Sequence, residues 1–258
     1  MPLQLAYGAR ASQFGELTLP VGAQPVRGVA VVVHGGFWRA TYGLELGRPL
    51  AADLAAAGLA AWNIEYRRIG ADGGWPATFD DVAAALDALA GPVQRAAAGR
   101  LPLDRVIAVG HSAGGHLAGW LAARPRRPAG TTGAAPPVRL RGVISQAGVL
   151  DLVDASEHAV GRGAVEDLLD GRPDVVPERY RLASPVALLP IGVPVVCVHG
   201  TADLNVPIRQ SERFVAAARA AGDAAELVAL PGVDHFALID PSTPAWRTCR
   251  EAVDRLLG

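Results

Sequence analysis

An α/β fold with a doubly wound, mostly parallel sheet is the architecture this chain predicts, on three observations. Residues 29–33 (V-A-V-V-V) and 193–199 (V-P-V-V-C-V-H) are near-continuously apolar, as strands buried on both faces are. Such runs alternate with helix-like patterns, the rhythm of crossover connections. Between one strand pattern and one helix pattern, Gly110 to Gly114 reads G-H-S-A-G, the sequence of a sharp strand-to-helix turn.

The elements follow in order. Residues 3–7 and 17–19 suggest short leading strands, and 29–33 starts the main sheet. Residues 48–57 read as a helix, 60–66 as a strand and 79–90 as a helix, with Asp80 and Asp81 near its N-terminus, where the macrodipole favours anions. Strand 103–109 and helix 112–123 flank the turn. Residues 124–137 are a Pro/Gly-rich surface loop whose arginines read as solvated. The sheet resumes with strand 140–146. Residues 151–190 break the rhythm, and the pieces A-V-E-D-L-L-D and S-P-V-A-L-L-P within them suggest a small helical cap insertion over the site. Strand 193–199, helix 207–221, strand 224–230 and helix 246–257 complete a single domain spanning 1–258.

Composition excludes several function classes. With 258 residues and 50% hydrophobic content the chain can bury a substantial core. The net charge of −1 gives no basic surface for nucleic acid and no polybasic run for anionic membranes. Every basic residue is Arg, which reflects coding composition rather than function. The two cysteines, Cys197 and Cys249, make no disulfide framework and read as buried thiols. The N-terminus lacks a basic segment followed by an apolar one, and no stretch reaches transmembrane length. A cytoplasmic protein, monomer or homodimer, is expected.

The turn carries the chemistry. A strand that turns at once into a helix lifts Ser112 clear of the sheet, and the helix N-terminus behind it favours developing negative charge. A serine needs a base to take its proton and a carboxylate to orient that base. Asp203 falls in the loop after strand 193–199, and His235 in the loop P-G-V-D-H-F after strand 224–230. Both lie at strand ends where open α/β sheets place their sites, in the chain order Ser, Asp, His. Asp151 and Asp154, which follow strand 140–146, are the alternative acids; Asp234 adjoins His235 and is poorly placed to face it. His111 is the variable position of the turn, His116 is expected to pack or bond locally, and His199 to be a satisfied buried ring. No spacing resembles a metal site, and no cofactor is implied. Strand 29–33 opens into H-G-G-F-W, whose glycines let backbone amides approach a ligand, and the amide of Ala113 should join them in stabilising an oxyanion. Phe37, Trp38 and Trp75 lie in predicted loops and His158 in the cap, so all four are candidate substrate contacts.

These motifs resemble the α/β-hydrolases. Within that fold His34–Trp38, the segment 110–118 (G-H-S-A-G-G-H-L-A) and 199–207 (H-G-T-A-D-L-N-V-P) resemble serine esterases of the hormone-sensitive-lipase-like branch. The closest pattern is the kynurenine formamidase (arylformamidase) family, with its H-G-G-x-W motif. Residues 66–67 and 76–81 resemble the segment that crosses from the fourth strand into the next helix. The resemblance implies Ser112, Asp203 and His235 as triad and Gly36 and Phe37 as oxyanion donors. It also implies a small ester or aryl-formamide substrate, possibilities being N-formylkynurenine or a generalist range of short acyl esters. A non-catalytic binding module on this fold would commonly lack the histidine, and a dehalogenase would carry a carboxylate in place of Ser112.

Overall fold

A computed structural model of the chain describes residues 1–22, 24–126, 130 and 133–258. Of the loop read at 124–137, residues 127–129, 131 and 132 lie outside the described residues. Among the described residues eight strands form one sheet: β1 Leu3–Ala6, β2 Phe14–Thr18, β3 Val29–Val33, β4 Ala60–Ile64, β5 Val106–His111, β6 Gly142–Gln146, β7 Val195–Gly200 and β8 Ala225–Leu230. Their spatial order is β1-β2-β4-β3-β5-β6-β7-β8. The two leading strands pair antiparallel and the other six run parallel. The chain winds outward from β3 in both directions, so the order reverses between β3 and β5. Ligand sites of open α/β sheets form at such a reversal, at the strands' C-terminal ends.

Nine α-helices accompany the strands among the described residues: α1 Arg48–Ala56, α2 Ala77–Asp87, α3 Pro92–Ala96, α4 Ala113–Ala123, α5 Leu152–Glu157, α6 Ala164–Leu169, α7 Pro177–Ala183, α8 Arg209–Ala220 and α9 Pro244–Leu257. Strand alternation divides the core in two. Val29, Val31 and Val33 face a cluster with Phe79 and Val82 of α2, Leu117 and Leu121 of α4 and Phe214 of α8. Ala30, Val32, Ile107 and Val109 face Leu50 and Leu54 of α1 and Trp246, Cys249 and Val253 of α9. This is the α/β-hydrolase arrangement, with a parallel sheet covered on both faces. No described helix is long and apolar enough to cross a membrane.

Several boundaries differ from the sequence reading for local reasons. β5 starts at Val106, because residues 102–105 close a turn through Arg105 N–H to the Pro102 carbonyl, 3.0 Å. α9 starts at Pro244, two residues earlier than read, because the Thr243 hydroxyl caps Trp246 N–H. Of the two aspartates read near the start of this helix, Asp80 lies in the first turn of α2, while Asp81 is fully buried and clamps Arg67 (2.7 and 2.8 Å) and Gln13 (2.6 Å). Arg124 is a second correction. Read as solvated, it is 1% exposed. Its fork grips both Asp87 oxygens at 3.0 and 2.7 Å, and its Nε donates to the Gly133 carbonyl. The end of α4 lies beside the end of α2, and a bidentate pair satisfies the guanidinium there.

Candidate active site

β5 ends at His111, and Ser112 turns the chain at φ 55°, ψ −117° before α4 begins at Ala113. A non-glycine residue in that region is strained, and the surroundings hold it there. Ser112 N–H donates to the Gln146 carbonyl of the neighbouring β6 at 2.8 Å. A Cβ on Gly110 would run into the Gly114 carbonyl, and one on Gly114 into the Val33 carbonyl. The two glycines therefore allow the close crossing that lifts Ser112 off the sheet.

Asp203 and His235 come together from the ends of β7 and β8. His235 Nδ1–H donates to Asp203 Oδ2 at 2.6 Å, which leaves Nε2 as the acceptor. The other carboxylate oxygen accepts from Asn205 N–H at 2.8 Å and Val206 N–H at 2.9 Å. His199 lies 3.4 Å from Asp203 Oδ2 while its ring bridges Ser211 Oγ and the Val206 carbonyl. Burial alone would raise the Asp203 carboxyl, but hydrogen bonds from His199, His235 and Val206 N–H hold it well below the usual carboxylate range.

The rival acids are engaged elsewhere. Asp151 caps α5 and pairs with Arg213, Asp154 binds Arg209 and Gln210, and Asp234 accepts from Phe236 and Ala237 N–H. His111 has a part that the sequence did not suggest. Its Nε2–H donates to the His235 carbonyl at 3.0 Å, and the two rings lie 4.4 Å apart. Burial pushes the His111 imidazole down to about 3, so it stays neutral and keeps that donor.

The loop after β3 carries three successive left-handed residues, Gly36 (φ 108°), Phe37 (φ 50°) and Trp38 (φ 56°). Such a run turns amides to one side, and among the described residues neither Gly36 nor Phe37 N–H donates to a protein acceptor. The loop lies directly on the turn, since a Cβ on Gly35 would stand 2.9 Å from His111 Nδ1 and 3.1 Å from Ser112 Cβ. Ala113, first in α4, presents a third N–H free of intrahelical partners.

Beneath the loop sits Glu65, 5% exposed, another residue the sequence reading passed over. It accepts from His34 Nε2 (3.0 Å), Tyr66 N–H (2.9 Å) and Leu44 N–H (3.1 Å), and Tyr66 stacks on His34 at 4.4 Å. Its signal was a charge at the end of an apolar run, beside a second apolar run that His34 follows directly.

Ser112 and His235 line one narrow cleft of about 80 Å³, with Gly36, Phe37, Tyr42 and Phe236 around them. Past Phe37 and Asn205 lies a second groove of about 410 Å³, which His158 lines. Two expected contacts are corrected. Trp38 is fully buried, with its indole N–H on His116 Nδ1 at 3.1 Å, because its left-handed backbone turns the side chain into the core. Trp75 packs edge-on against Phe79 at 5.0 Å and lines neither the cleft nor the groove. His116 bonds locally, donating to the Ala183 carbonyl while accepting from Trp38, and burial lowers it to about 4.

The BD-FAE family model matches residues 16–217, well over half of the chain. The chain belongs to the BD-FAE family. The matched span includes Ser112 and Asp203 and stops before His235. Among solved structures, this BD-FAE chain superposes on the bifunctional GH43-CE protein of Bacteroides eggerthii with a TM-score of 0.83 at 23% identity. It is covered completely there but spans only 35% of that polypeptide. A truncated carbohydrate esterase from gut microbiota gives 0.80 at 21% identity, covering 98% of this chain and 95% of that one. The thermophilic esterase Est2 of the Planctomycetes species Thermogutta terrifontis gives 0.76 at 23%, covering 99% and 91%. Likeness at these identities establishes the shared fold. No curated protein matches the chain.

Proposed function

We propose that this chain is a serine carboxylesterase acting on short acyl groups. One observation carries the reading: a left-handed Ser112 at a strand-to-helix turn shares a cleft with His235, whose Nδ1 is held at 2.6 Å by the solvent-shielded carboxylate of Asp203. In the proposed reaction, His235 Nε2 takes the proton from Ser112 as Oγ bonds to the carbonyl carbon. The carbonyl oxygen becomes an oxyanion, stabilised by the amides of Gly36, Phe37 and Ala113. The imidazolium then protonates the departing alkoxide, leaving an acyl-serine. Water, deprotonated by His235, attacks that ester; the acid leaves and Ser112 is reprotonated. Asp203 holds the productive tautomer throughout. The similar fold of Est2, which has been obtained phosphoramylated by tabun and phosphonylated by sarin, supports a serine reading.

The cleft's volume of about 80 Å³ favours a second reading, in which the acyl group is formyl and the bond an aryl-formamide. The likeness of His34–Trp38 to the formamidase motif supports it.

Steady-state hydrolysis of N-formylkynurenine beside 4-nitrophenyl acetate and butyrate separates the two. An esterase turns over acetate best and the formamide negligibly; a formamidase reverses that. In either case Ser112→Ala should lose at least about a thousandfold in kcat. A fully active Ser112→Ala would remove the whole mechanism.

A further inference from the structure

The cleft at Ser112 holds little more than a short acyl group, so the rest of a substrate must lie elsewhere. The groove of about 410 Å³ that shares Phe37 and Asn205 with the cleft is the adjoining space. We infer that this groove is a subsite for the leaving part of the substrate and that it recognises a carboxylate or similar anion there. The inference rests on the esterase reading.

Three cationic or titratable side chains line the groove, Arg39, His158 and Arg162, and no Asp or Glu does. Arg39 shares its charge with Asp167 at 3.3 Å, and His158 turns to Asp154 at 3.4 Å. Arg162 makes no ion pair among the described residues, so its charge is the one left for a ligand.

Its position is built rather than incidental. Gly161, Arg162 and Gly163 are successively left-handed, at φ 72°, 53° and 83°. Such a conformation is costly for arginine and points to a held geometry. Arg39 Nη2 donates to the Arg162 carbonyl at 3.2 Å, so one arginine fixes the backbone of the other. A Cβ on Gly161 would strike the Phe37 ring. The cationic loop therefore lies against a proposed oxyanion donor, one side chain from the reacting carbon.

Apolar surface from Phe37, Val160, Leu204 and Pro207 completes the lining. A guanidinium fork pairs bidentately with a carboxylate, and the half-buried Phe37 and Pro207 offer apolar surface beside it. The chemistry fits an acyl ester of a hydroxy acid with a flat, apolar body.

The test uses two near-isosteric esters, 4-acetoxybenzoate and the neutral 4-acetoxybenzamide, with wild type, Arg162→Gln and Arg162→Lys. For wild type, kcat/KM should favour the anion by on the order of tenfold, mainly through KM, and less so at raised salt. The ratio should fall to near one in Arg162→Gln and lie between in Arg162→Lys. Because it is a ratio within one preparation, partial misfolding of a variant does not move it. A wild-type ratio at or below one, or one unmoved by Arg162→Gln, overturns the anion subsite while leaving the esterase reading intact. If wild type hydrolyses neither ester, the esterase reading fails. Calorimetric binding of 4-hydroxybenzoate to wild type and Arg162→Gln then decides the groove alone, with equal affinities overturning it.

Discussion

Replacing Asp203 by Asn keeps size and shape but should reverse the tautomer of His235. Asp203 Oδ1 accepts two backbone N–H groups, from Asn205 and Val206, while Oδ2 faces His235 Nδ1 at 2.6 Å. In the variant, two fixed donors demand that the amide oxygen stay on their side, so the NH₂ group must face His235. Nδ1 then becomes an acceptor, the proton moves to Nε2, and the ring cannot take a proton from Ser112. The mechanism assigns this error roughly 10⁴-fold in kcat, which is about 5 kcal/mol of transition-state stabilisation. KM for 4-nitrophenyl acetate should change little. The assay is steady-state kinetics at neutral pH, with circular dichroism to confirm folding. A loss below about tenfold in a folded variant would refute the tautomer argument, because it would show that Asp203 does not govern His235. A stability readout accompanies it. The folded-state carboxyl lies below its unfolded value, so the ionised group stabilises the fold above about pH 4. That contribution disappears as pH falls towards the folded-state value. The acid limb of the unfolding profile should therefore be shallower in Asp203→Asn than in wild type.

Three further outcomes follow from the packing. Glu65→Gln breaks a buried pair and sets an amide N–H against Leu44 N–H or His34, so urea unfolding should show a loss of about 3 kcal/mol, with kcat falling more than KM rises. Trp38→Phe removes the donor to His116 Nδ1; a stability loss of about 2 kcal/mol is expected by thermal unfolding, with the acetate-to-butyrate ratio of kcat/KM unmoved, because the indole does not line the cleft. His111 and His116, lowered to about 3 and about 4, should show no imidazole titration by NMR between pH 5 and 8; titration of either ring in that range would mean that this ring is not held neutral.

The sequence exposed what lies immediately after its strands. Ser112, Asp203 and His235 could be singled out because each follows an apolar run, and parallel strands gather such positions at one end of the sheet. Side chains that act across the chain stayed hidden. Arg124 looked like a loop arginine because nothing in R-P-R-R-P, residues 124–128, reveals that α4 ends beside Asp87, 37 residues earlier. Trp38 looked like a substrate contact because H-G-G-F-W does not show that three left-handed residues turn the indole inward.

Glu65 was hidden differently, for its partner is a neighbour in the sheet. β3 pairs parallel with β4, Val33 opposite Ile64, so the next residues, His34 and Glu65, are brought side by side. β3 also pairs with β5, Val33 opposite Gly110, which sets the same His34 against the turn that carries Ser112. One strand thus connects two devices. Its neighbour on one side supplies the carboxylate that anchors the proposed oxyanion loop, and its neighbour on the other supplies the proposed nucleophile. A change that alters the β3–β4 end, as Glu65→Gln does, should therefore act on the chemistry without touching Ser112, Asp203 or His235. Active-site titration of that variant distinguishes this linkage from simple loss of fold: kcat per titrated site should fall, whereas partial unfolding lowers only the number of sites and leaves both kcat per site and KM unchanged.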